Sequence, residues 1–101
     1  MEPVILVFGN PLLEEDSVAL KVGAGLKRLG WDVVFCEDPV SILDYVERPI
    51  VILDAVKGLK EVKVLEPSDV KTRSVVTLHD LDLGFFLKLL DVDVKIIGIP
   101  L

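Results

Sequence analysis

The chain has 101 residues, 51% of them hydrophobic and 28% charged, with a formal net charge of −6. This is the length of one domain with ample apolar material for a core, and no apolar run approaches the ~18 residues of a membrane-spanning helix. The acidic balance, with eleven scattered Lys and Arg and no basic stripe, argues against nucleic acid as a partner, because neutralised phosphates carry most of that affinity.

One cysteine, Cys36, rules out an internal disulfide framework and fits a reducing compartment. No basic segment followed by an apolar stretch opens the sequence, so the expectation is a cytoplasmic protein without a secretory leader. Gln is absent and Asn10 is the only Asn, a depletion of heat-labile amides in the direction of thermophiles.

Val4–Phe8 is a short, continuously apolar run, the pattern of a strand buried on both faces. From Asp16 onward Val18, Val22, Leu26 and Leu29 make one helical stripe. Gly23 and Gly25 each weaken that helix by roughly 1 kcal/mol relative to Ala, and Gly30 ends it. Asp32–Cys36 is the second strand. Asp38 and Pro39 supply an N-cap and a first helical position for a short helix with Ile42, Leu43 and Val46 inward.

Pro49 closes that segment, and "IVILDA" is the third strand. "EVKVLE" alternates Val62 and Val64 with Glu61 and Lys63, an edge strand wet on one side. Residues 68–77 read mostly as loop. Thr77 with Asp80 forms a capping box for a helix carrying Leu81, Phe85 and Leu89, and "VKIIGIP" is a fifth strand. The order β-α-β-α-β-β-α-β makes a mainly parallel sheet with helices on both faces.

Open α/β sheets bind ligands at the carboxyl ends of strands, where the strand order reverses. With an order of 2-1-3 the reversal lies between the first and third strands. The first strand leads into "GNPLLEEDS", and the third ends in Asp54 after four apolar residues. A carboxylate there needs partners or a cation, because burying it alone is costly. The plainer alternatives stand beside this. Acids entering a helix complement its dipole, Asp54 serves equally as a cap or loop acid, and His79 as a surface residue opening a helix.

Taken together, these segments resemble the hydrogenase maturation endopeptidases, the nickel-dependent processing proteases. "VILVFGNPLLEEDSVALKV" is similar to their opening strand, Gly-Asn turn and acid pair. "VILDAV" resembles their third strand with its terminal Asp, "TLHDLDLGFFLKLL" their Ser/Thr-x-His segment and following helix, and "VKIIGIP" their last strand. The resemblance implies a three-layer α/β/α fold with a mixed five-stranded sheet, order 2-1-3-5-4, strand 4 antiparallel.

It also implies a metal-contacting trio, Asp16, Asp54 and His79, which would engage Ni²⁺ already inserted in a hydrogenase large-subunit precursor. The enzyme then removes that subunit's C-terminal extension. Two carboxylates and an imidazole also suit Zn²⁺ or Cd²⁺ as substitutes. Glu15 is the candidate acid or base beside them. Asn10 is the candidate for orienting an acid or the substrate backbone, its plainer role being a tight turn.

The chain departs from the family pattern in three places. Glu14 and Ser17 stand where the family often has a small residue and a Gly. "CEDPVS" replaces a Gly-Gly-Thr stretch after the second strand. The chain ends at Leu101, where family members continue into a closing helix. The last departure implies an uncovered sheet face beside the first helix, and a homodimer or docked subunit over it.

Two other readings remain. One is a non-catalytic metal- or hydrogenase-assembly binding module of the same fold. The other is a receiver-like phosphoacceptor domain using Asp54, although its acids would sit directly after the first strand and a Lys is missing from "GIPL". No Gly-x-Gly-x-x-Gly follows the first strand, which argues against a dinucleotide site. Cys36 is read as a buried structural thiol.

Overall fold

The computed structural model describes residues 2–9, 12–14, 17–37, 39–66, 76–77 and 93–100. Strands β1 (Val4–Phe8), β2 (Val33–Cys36), β3 (Ile50–Lys57), β4 (Lys63–Leu65) and β6 (Val94–Pro100) form one sheet in the order β2-β1-β3-β6-β4. A two-residue strand, β5 (Val76–Thr77), pairs antiparallel with β3 in a stretch expected to be loop. β1 runs parallel to β2 and β3, β3 parallel to β6, and β4 antiparallel to β6. Without β5 this is the expected 2-1-3-5-4 sheet with its fourth strand antiparallel.

Both faces of the sheet are covered over β1 and β3, which is why these strands read as continuous apolar runs. Val4, Leu6, Phe8, Ile50, Ile52, Val56 and Ile96 pack on one face with Ile42, flanked by half-buried Tyr45 and Val46. Ile5, Val7, Val33, Leu53 and Ile99 pack on the other with Ala19, from helix α1 (Ser17–Arg28). Among the described residues no helix is long and apolar enough to cross a membrane. Cys36 is buried, as expected, and burial pushes its thiol pKa up, Ser41 opposing that through a hydrogen bond and Asp44 adding to it.

α1 packs through a different stripe from the expected one. Ala19 and Gly23 are its buried residues, Leu20 and Leu26 are half-buried, and Val18, Val22 and Leu29 stand in solvent. The reason is close approach: a Cβ on Gly23 would lie 2.6 Å from Val7 Cγ2. Small residues let the helix backbone settle on β1, and the larger ones are turned aside. The helix ends as expected at Gly30, whose φ of 97° is left-handed. There Trp31 N–H donates to Leu26 C=O and Gly30 N–H to Lys27 C=O, each at 3.1 Å, a Schellman cap.

Two further expectations change. Residues Pro39–Tyr45 form a 3₁₀ helix, so Ile42 and Tyr45, three apart, turn inward, while Leu43 is 45% exposed. On β4 the buried residue is Leu65, and Val62 and Val64 are exposed. Val64 pairs with Ile97 on the α1 face, but α1 packs over β1, β2 and β3, and among the described residues no helix covers that edge. At the amino ends of the strands, Arg48 donates to Asp32 Oδ2 and to the Glu2 carbonyl, tying β3, β2 and β1 together away from the carboxyl ends.

Gly25 differs from Gly23. Nothing lies within 4 Å of where its Cβ would stand, so Gly25→Ala should gain the full helix propensity, about 1 kcal/mol. Thermal unfolding should then shift upward by roughly 4–8 °C; an unchanged or lower midpoint would contradict the open space at this position.

Candidate functional site

The carboxyl ends of β1 and β3 make the crevice expected from the strand order. The β1–β3 ladder runs from Val4↔Ile50 to Val7↔Leu53. β3 itself continues to Lys57, so Asp54 is not at the end of the strand as the sequence implied. It is instead the first β3 residue past the ladder with β1. On its other side Asp54 pairs with Gly98 of β6. Two residues on, Val56 pairs with Thr77 of β5.

Asp54 is 0% exposed, the one charged residue in the described core. By strand alternation it shares the face of Ile50, Ile52 and Val56. Its Oδ1 accepts a hydrogen bond from Ala55 N–H at 2.9 Å, which pins the carboxylate to the main chain. Gly98 beside it cannot carry a side chain without displacement. A Cβ there would meet Leu59 Cδ1 at 2.7 Å and Val56 Cγ2 at 3.1 Å. The glycine inside the apolar run of "VKIIGIP" is the sequence signal for such a close approach.

The other expected site residues, Asn10, Glu15, Asp16 and His79, lie outside the described residues, as does the helix expected after Thr77. Their neighbours are placed. Gly9 is buried at the end of β1, Ser17 opens α1, and Thr77 on β5 precedes His79 by two residues. Glu14 is exposed and lies ahead of α1, whose first turn contains no acid. Among the described residues no group of three or more His, Cys, Asp or Glu is gathered to hold an ion.

On the α1 face, at the same end of the sheet, an open hollow of about 510 Å³ is lined by Gly9, Leu20, Ala24, Phe35 and Glu37. Its walls are apolar apart from the Glu37 carboxylate. Glu37 is exposed and directly follows β2. Asp54 is one strand from Gly9, about 5 Å laterally, at the same end of the sheet as the hollow, but its side chain is buried on the opposite face, with Ile50, Ile52 and Val56.

The fold is shared with solved structures. The chain superposes on the [NiFe] hydrogenase maturation protease HybD from Thermococcus kodakarensis with a TM-score of 0.77. The sequences are 26% identical, over 99% of this chain and 80% of that one. A protein of uncharacterised function from Wolinella succinogenes matches with a TM-score of 0.65 and 24% identity, over 100% of this chain and 75% of that one. No protein-family model matches the sequence, and neither does any curated protein. The chain has the fold of the hydrogenase maturation proteases.

Proposed function

We propose that the chain is a metal-dependent endopeptidase that removes the C-terminal extension of a nickel hydrogenase large-subunit precursor in the cytoplasm. One observation carries this reading. In a fold shared with HybD, a fully buried carboxylate, Asp54, stands where β1 stops pairing with β3. A buried carboxylate in an apolar core is costly to keep, and a cationic substrate gives it a use.

In this proposal Asp16, Asp54 and His79 contact nickel carried by the precursor, and Zn²⁺ or Cd²⁺ can take its place. The ion supplies Lewis-acid polarisation of the scissile carbonyl or an acidified water. The Ala55 N–H bond holds the Asp54 carboxylate in one orientation before the substrate arrives, so little reorganisation is needed. Glu15 is assigned the acid or base role, and Asn10 the orientation of the substrate backbone. The hollow beside Gly9 takes an extended stretch of the precursor.

The test is cleavage of a large-subunit precursor prepared with and without nickel, followed by mass spectrometry of the released peptide. Cleavage of the loaded precursor alone is the expected result, with Asp16→Asn and His79→Ala each lowering the rate by roughly 10²-fold or more. Binding of the loaded precursor without any cleavage would replace the protease by a non-catalytic assembly module. Neither binding nor cleavage would remove the hydrogenase precursor as substrate.

A further inference from the structure

Among the described residues, α1 leaves one flank open. Val18, Val22 and Leu29 are 51%, 41% and 78% exposed. At about 100° per residue they fall within about 40° of one another, on the side of the helix away from Leu20 and Ala24. Those two residues line the hollow with Phe35 of β2, so the open flank looks across the sheet toward β6 and β4. There Ile97 is half-buried and its partner Val64 is 64% exposed. β6 lies two strand spacings from β1, about 10 Å, which matches the ~8–10 Å between the axes of two packed helices. The result is an apolar trough of one helix's width.

The α1 side of this trough is basic. α1 contains Lys21, Lys27 and Arg28 and no acid, all three exposed, in a chain of net charge −6. Lys27 stands over the Phe35 ring, on the β2 side. Lys21 and Arg28 are seven residues apart and border the open flank. Between Val22 and Leu29, Gly25 has nothing within 4 Å of its Cβ position, so another backbone can approach closely there.

We propose that the trough is a docking site for an amphipathic helix of a partner protein, its apolar face on Val18, Val22 and Leu29 and acidic residues against Lys21 and Arg28. This is recognition of a helix in a groove, and it does not depend on the protease reading. A second copy is a poorer occupant. The described helix it would bring is α1, which sets Lys21 and Arg28 against their own counterparts.

The test uses the full chain and two synthetic helical peptides that share one leucine face, one flanked by Glu and the other by Lys. Trp31, the only tryptophan, is 49% exposed and two residues past Leu29, so its emission reports burial of this end. The Glu-flanked peptide should shift the emission to shorter wavelength, and the Lys-flanked peptide should bind at least tenfold more weakly. Lys21→Glu with Arg28→Glu should invert that preference. Gly25→Leu, whose Cβ has nothing within 4 Å in the free chain, should keep the fold and weaken binding at least tenfold.

Equal binding of both peptides, binding unaffected by Gly25→Leu, or no binding by either peptide would overturn the proposal. So would a dimer in sedimentation that Leu29→Asp dissociates, because the trough would then belong to a second copy.

Discussion

Asp54→Asn is expected to fold to the native sheet, with a thermal midpoint close to that of the parent, while losing roughly 10²–10³-fold in cleavage of nickel-loaded precursor. The amide has the shape of the carboxylate, and its Oδ1 can still accept the Ala55 N–H now bonded at 2.9 Å. It carries no charge to strip of water, and an ionised carboxylate is far more costly to bury than an amide. Ile52, Leu53, Ala55 and Val56 around it in sequence are all buried. A structural Asp would show the reverse pattern, with stability falling and cleavage lost only in proportion to unfolded chain. The two outcomes separate when denaturation midpoints and cleavage rates are measured on the same preparations. An Asn variant that cleaves at the parental rate would end the assignment of Asp54 to the reaction.

The sheet was legible because its signal is redundant. "VILVF", "IVILDA" and "VKIIGIP" are apolar without alternation, which requires strands covered on both faces, and the lone alternating segment became the antiparallel edge. The direction of α1 toward the core was not legible. The valines and leucines make the stronger helical stripe, yet Ala19 and Gly23 face the sheet. A periodicity count weighs side-chain size, whereas the helix is positioned by how closely its backbone can approach Val7.

The edge strand misled in a similar way. Val62 and Val64 alternate with charges as a buried face should, but burial also requires a layer above, and α1 does not extend over β4. At the site, an Asp after four apolar residues pointed correctly to a buried carboxylate. What the sequence did not convey is that β3 runs on past it, with β5 taking over pairing on that strand beyond β1. Such a handover depends on residues far apart in the chain and leaves no local pattern.

Gly23→Val should be the most damaging single change on α1, costing about 3 kcal/mol or more. Even a single methyl, in Gly23→Ala, places Cβ 2.6 Å from Val7 Cγ2 and 3.2 Å from Phe35 Cε1. Val7 is fully buried and β-branched, so its restricted χ1 gives it little room to turn away. Overpacking of this kind costs typically ~1–3 kcal/mol, against a propensity gain of about 1 kcal/mol for Ala, so Gly23→Ala should be destabilising where Gly25→Ala is stabilising. Valine adds two methyls to the clash and loses much of the propensity gain. Because α1 begins directly after residues 10–16, a helix lifted off β1 should also move that segment relative to Asp54. A displacement of 1 Å at a reacting centre costs on the order of 10²-fold, so cleavage should fall even at temperatures where the variant is folded. Val7→Ala is the control: it costs stability alone by leaving a cavity, but it opens the space that Ala at position 23 needs. In urea denaturation the double variant Gly23→Ala/Val7→Ala should therefore lose less than the sum of the two single losses, by more than about 0.5 kcal/mol. Strict additivity would mean that contact with Val7 is not what requires glycine there.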